Sequence, residues 1–169
     1  MSATGKQIAA ALDRGRKPVQ LAVAAHEMGH AIGILANGER PGSVRLKFGI
    51  FGGFTGGWCD YGGYPDRDWP SEKKLGRLVA MMAGHAAETR FCQLYLDMDY
   101  RAAFKYGRGS SDGDYQDFRH WRGKLGVRWK ASEDWAFDQA TRLIERRADY
   151  LDRYTLRLER TRYLDGGDL

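Results

Sequence analysis

His26-Glu27-Met28-Gly29-His30 places two imidazoles four residues apart. On a helix, positions i and i+4 lie one above the other, so both rings can aim a nitrogen at one metal ion. Glu27 is displaced around the helix, where a carboxylate addresses a water on the metal rather than the metal itself. Zinc brings the pKa of such a water to about 7, and the carboxylate takes the proton as hydroxide attacks a carbonyl. The chain has four His and seven Glu in 169 residues. Chance alone produces this spacing in roughly 4 of a thousand such chains. The surrounding run, Val19 to Ala36, is apolar almost all round. Three ionisable side chains in such a run are costly to bury unless each is satisfied.

A catalytic zinc site takes three protein ligands and keeps one position open. His85 and His120 are the remaining histidines, but three carboxylates fit better. Glu88 stands alone among small residues in Ala83-Gly84-His85-Ala86-Ala87-Glu88, while Asp112 and Asp114 follow a Gly-Ser-Ser loop at a helix start. Aspartates there also cap helices, so the chemistry alone leaves Glu88 and the Asp112/Asp114 pair open. Cys59 and Cys92 are too few for a disulfide framework or a Cys-based metal site and are expected as buried thiols.

The elements that position these residues follow from pattern. The apolar run predicts a buried helix, stopped by Asn37-Gly38 and Pro41-Gly42. Val44, Leu46, Phe48 and Ile50 alternate, predicting a half-buried strand over 43–50. Seven glycines between Gly49 and Gly63, mixed with Phe51, Phe54, Trp58 and Tyr61, surround a second strand over Gly53 to Asp60, where glycine marks a bulge or a close backbone approach. A long helix follows from Glu72 to about Leu96, with Ser71 as its cap. Residues 98–112 read as a polar loop. Further helices are expected from Asp112–Asp114 to Lys124 and over about Ser132 to Tyr163, with Asp165 to Asp168 as a tail. The expected fold is mainly α with one small antiparallel β-sheet. Residues 1–18 form a polar lead-in, with a short helix at Gln7 to Leu12, and residues 19–169 form a single domain.

Composition narrows the function classes. At 43% apolar and 29% charged, the chain reads as an ordinary globular protein. It is too short for an ATPase module plus a second enzyme domain. No uninterrupted apolar stretch reaches the ~18 residues of a membrane span, and Met1 to Gln20 lacks the apolar centre of a secretory leader, so the expected compartment is the cytoplasm. The net charge is +5, but basic residues alternate with acids, as over Arg146 to Arg153, which suits solvated helix faces; no nucleic-acid partner is expected.

Over about residues 19–169 the chain resembles the peptidase domain of the FtsH family of ATP-dependent zinc metalloproteases. Ala25-His26-Glu27-Met28-Gly29-His30-Ala31 resembles the family's His-Glu-Ala-Gly-His-Ala. Gly53-Phe54-Thr55-Gly56 resembles the end of its strand pair. Ala83 to Glu88 resembles its Gly-Gly-Arg-Ala-Ala-Glu, and Gly109 to Tyr115 its Gly-Ala-Ser-Asn-Asp-Ile/Leu. Tyr163 to Leu169 resembles the segment that closes the family's domain. The resemblance implies a zincin-like fold and a zinc endopeptidase acting on unfolded or extended polypeptide, with Glu27 as base and His26, His30 and Asp114 as ligands. Glu88 then orients a ligand, and Asp112 stays an alternative because the alignment carries one extra residue. His85 replaces the family's Arg, and Phe118 its Ala. The strand carrying Gly53, Phe54, Thr55, Gly56 and Trp58 is the expected substrate edge, since proteases of this kind hold substrate as an added strand. No phosphate-loop motif occurs, so the chain resembles the peptidase domain alone, with a separate ATPase or a hexameric homo-oligomer as the implied partner.

Overall fold

The computed structural model describes residues 3–169. α1 (Ala3–Asp13) is followed by α2 (Pro18–Ala36), which opens on a proline whose fixed φ and missing N–H suit a first turn. The chain continues through β1 (Ser43–Phe48), β2 (Phe54–Cys59), α3 (Ser71–Tyr95), α4 (Tyr100–Ser110), α5 (Asp112–Lys124), α6 (Glu133–Arg146) and α7 (Ala148–Thr161). It ends in β3 (Tyr163–Asp165) and a 3-10 turn over Gly166–Asp168. The fold is mainly helical with one three-stranded antiparallel sheet in the order β2-β1-β3, which agrees with the expected class.

α2 is the central element. By length and composition it is apolar enough to cross a membrane, but most of it is buried inside the protein. α3 crosses it closely because both helices present small residues. A methyl group on Gly33 would stand 2.5 Å from Ala80 Cα and 2.8 Å from Ala80 Cβ; one on Gly29 would stand 2.7 Å from Ala87 Cβ. Around this crossing Met28, Ile34, Leu78 and Met82 are fully buried. The close approach brings the polar turn of α2 against the middle of α3.

Both strands are shorter than the sequence predicts. Ile50 and Phe51 lie at the hairpin tip, fully exposed, because Gly49 N–H bonds Gly53 O at 2.7 Å and closes the turn. Gly53 therefore lies in the turn rather than in β2. Register shifts between Lys47 and Phe48, opposite Gly56, whose φ of 141° only glycine adopts readily.

Four expectations are corrected. Residues 100–110 form α4 instead of a loop: Asp99 accepts the Ala102 N–H at 2.8 Å as a cap, and Ala103 and Gly107 are buried. The expected last helix is two helices, parted at Arg147 (φ −113°, ψ 19°), where neither Gly nor Pro announces a break. A strand, β3, stands between the last helix and the tail, since Arg162 takes a left-handed φ of 63° and turns Leu164 back to pair with Val44. The first helix is longer than expected, and Ile8 is fully buried with Leu21, Ala22 and Phe91.

Candidate metal centre

His26 and His30 leave the buried face of α2 with their Nε2 atoms 3.0 Å apart. Asp114, in the first turn of α5, closes the group. Its Oδ2 lies 3.1 Å from His26 Nε2 and its Oδ1 3.3 Å from His30 Nε2. The far nitrogens are both engaged. His26 Nδ1 lies 2.9 Å from Glu88 Oε2, and His30 Nδ1 lies 2.9 Å from the Ala80 carbonyl. A carboxylate and a carbonyl can only accept, so each neutral ring carries its hydrogen on Nδ1 and donates it outward. In these neutral tautomers both Nε2 lone pairs face each other and a carboxylate, so a proton or a metal ion has to join them.

That arrangement tests whether a metal fits. One ligand atom from each of His26, His30 and Asp114 lies within 4.8 Å of the others. Two buried imidazole nitrogens and a half-buried carboxylate facing one another are unfavourable unless a cation, proton or metal, joins them. Two imidazoles and one carboxylate suit zinc and other divalent metals of intermediate softness. Space is kept by Gly84 of α3, where a Cβ would stand 2.7 Å from both His26 Nε2 and His30 Cε1. The residues fit the group.

The electrostatics point the same way. Burial opposes charge on His26, but the hydrogen bonds to Asp114 and Glu88 outweigh it and hold the pKa well above the ordinary value. His30 is raised too: burial again opposes, and the Asp114 carboxylate prevails. Burial works against the Asp114 carboxylate, yet the two imidazoles carry its pKa far below the usual range. The site therefore attracts positive charge.

Glu27 is buried and forms no hydrogen bond among the described residues. Burial raises its pKa above the usual carboxylate value, against the pull of both histidines. β2 passes beside it at Gly57, where a Cβ would stand 2.5 Å from Glu27 Oε1. Glu88, 1% exposed, binds His26 from the side away from Asp114 and also accepts Ser110 Oγ–H at 2.5 Å. Its position matches an orienting role rather than a third ligand. Asp112 is not brought to the site; its Oδ1 pairs with Arg108 Nη1 at 2.5 Å. The reason is helical geometry: two residues before Asp114, it lies on the outer side of α5.

The remaining histidines stay outside. His85 is fully buried and bonds the Tyr115 hydroxyl and the Phe104 carbonyl, each at 2.9 Å. His120 is exposed, edge-on to Trp121. Gly84 and Ser110 have no role legible in the sequence, and Tyr61 is there only one of three equal candidates, with Tyr115 and His120, for stabilising an oxyanion. The Tyr61 hydroxyl lies 2.8 Å from His30 Nδ1. Its place beyond β2 in a glycine-rich loop gave no periodic signal.

β2 is an edge strand of the sheet. Thr55 and Trp58 are exposed along it, whereas Phe54 packs on Phe48 with ring centres 5.6 Å apart. Trp58 and Tyr61 also line a cleft of about 290 Å³, together with Tyr64, Met81 and Trp121. Tyr61 both lines this cleft and touches His30, so the cleft adjoins the His-His-Asp group. No family model matches the chain, and no curated protein matches it.

Proposed function

We propose that the chain is a zinc-dependent endopeptidase, similar in fold and site to the FtsH peptidase domain, that hydrolyses unfolded or extended polypeptides. The observation that carries this reading is the convergence of His26, His30 and Asp114 on one point, with the Glu27 carboxylate beside them and without a hydrogen bond among the described residues. When bound, zinc supplies a Lewis acid that acidifies water and polarises a carbonyl.

The chain's own residues do the rest. Glu27 takes the proton of the attacking water and delivers it to the leaving amine, a role that suits a carboxylate whose proton affinity burial has raised. Glu88 fixes the tautomer and direction of His26, and the Ala80 carbonyl does so for His30. The free edge of β2 receives an extended chain by backbone hydrogen bonds, and its glycines let that chain come close. The adjoining aromatic cleft accommodates a side chain. A separate ATPase or a ring of copies is the partner that the FtsH resemblance suggests.

The direct test is metal analysis of the purified protein combined with casein cleavage, with and without chelator. About one zinc per chain and cleavage that chelator abolishes and zinc restores are expected. Chelator-insensitive cleavage, or zinc-loaded protein without activity toward any unfolded substrate, overturns the proposal.

A further inference from the structure

The two ends of the chain build a second site remote from the metal group. A cleft of about 460 Å³ opens between α1 and α7, and Arg14, Arg16, Arg153, Arg157 and Arg160 line it. In the sequence these arginines are scattered among acids and far apart. Folding gathers them. Arg153, Arg157 and Arg160 stand at i, i+4 and i+7 on one face of α7, and Arg14 and Arg16 follow the end of α1.

The acids nearby do not neutralise this group. Among the described residues Glu159 is the one carboxylate lining the cleft. Its side chain is 7% exposed, and both its oxygens lie 3.0 Å from Arg16 Nη1. Arg157 is held at the edge by Asp168, through Oδ1 and the main-chain carbonyl, both at 3.2 Å. Among the described residues Arg14, Arg153 and Arg160 have no carboxylate partner, and Arg153 lies instead over the rings of Tyr150 and Tyr154. Two guanidinium groups are thus fixed by ion pairs and three are unanswered, all around one concavity. Clustered like charge with low-dielectric walls raises the local concentration of anions.

We propose that this cleft binds a compound carrying two or more phosphoryl groups, of the diphosphate class. Guanidinium groups match phosphate oxygens in paired, planar hydrogen bonds. Three unpaired guanidinium groups, on two helices and with two paired ones between them, are spread more widely than one phosphate requires. A half-open cleft of this volume between two helices suits a small oligophosphate rather than a duplex. This site rests on no part of the protease reading, and its test does not use peptidase activity.

The test is calorimetric titration of the whole chain with sodium diphosphate, and with monophosphate, sulfate and a DNA duplex as comparisons, at low and physiological salt. Diphosphate is expected to bind at least ~10-fold more tightly than monophosphate or sulfate. Arg14→Glu and Arg153→Glu are each expected to weaken it at least ~10-fold. Arg160→Gln provides a milder change should a charge reversal unfold the chain, and circular dichroism verifies the fold of each variant. Arg67→Glu changes net charge equally on an exposed loop away from the cleft and is expected to leave the affinity unaltered. Equal weakening by Arg67→Glu, equal affinity for all small anions, tighter binding of the duplex, or no diphosphate binding at low salt each overturns the proposal.

Discussion

Glu27 and Asp114 are both carboxylates beside the same two histidines, and their substitutions are expected to have opposite signatures. Glu27 is outside the group of facing atoms, so Glu27→Gln keeps the metal. It removes the proposed base, and peptide cleavage is expected to fall by at least ~100-fold. Zinc content together with kcat/KM measures both halves; full activity contradicts the assignment. Asp114→Asn instead removes the negative charge that faces both Nε2 atoms, and metal affinity collapses. Glu88→Gln lies one bond further out, at His26 Nδ1, and weakens the metal by only ~10–100-fold. Competition with a chromogenic chelator ranks the two; a larger loss in Glu88→Gln than in Asp114→Asn reverses the ligand assignment. The histidine pair was legible in the sequence because one helical turn determines its geometry. Asp114 lies 88 residues from His26, and no local spacing joins them. Residue types alone therefore left Glu88, Asp112 and Asp114 as alternatives, and only the fold separates them.

Between α2 and α3 the deciding feature is the absence of side chains. Gly33→Ala gains about 1 kcal/mol of helix propensity. It also drives a methyl group to within 2.5 Å of Ala80 Cα. Backbone cannot yield as a flexible side-chain end can, so overpacking wins and the variant loses about 1–3 kcal/mol. Urea unfolding at fixed pH measures this; an unchanged or raised midpoint contradicts the close crossing. Zinc affinity is expected to fall with it, because His26 and His30 are aimed by the same crossing. The helices with strong apolar patterning, α2 and α3, were readable from sequence, as was β1 from its alternation. α4 was not, since its polar surface hides a stripe of only Ala103, which joins the cluster of Ile8 and Phe91, and Phe104 and Gly107, which meet His85. The break between α6 and α7 carries no Gly or Pro, and β3 is three residues whose strand state depends on β1 already being in place.

His85 joins the helices into one body. It projects from α3, bonds the Phe104 carbonyl of α4 and the Tyr115 hydroxyl of α5, and packs on Phe137 of α6 with ring centres 4.7 Å apart. Burial pushes its pKa from 6.5 down to about 4. The unfolded chain thus binds a proton at His85 more readily than the folded one. The stability this residue lends is complete above pH 6.5 and is lost as pH falls from there toward 4. The shift corresponds to about 3 kcal/mol in all. His26 and His30, with pKa values raised by Asp114, act in the opposite sense and in a separate window above 6.5, where their stabilisation is lost as pH rises. Glu27, raised by burial, also opposes His85, and it does so inside the acid window. The net acid profile of the native chain therefore understates the His85 contribution, and a variant must isolate it. His85→Gln keeps a donor and an acceptor for Tyr115 and Phe104 but cannot titrate. Between pH 7 and 4.5 the native chain is expected to lose about 2 kcal/mol more unfolding free energy than His85→Gln. Urea denaturation of both proteins at the two pH values gives the difference directly. Parallel losses would mean that His85 takes up a proton in the folded protein as easily as in the unfolded one, contrary to its burial among four helices.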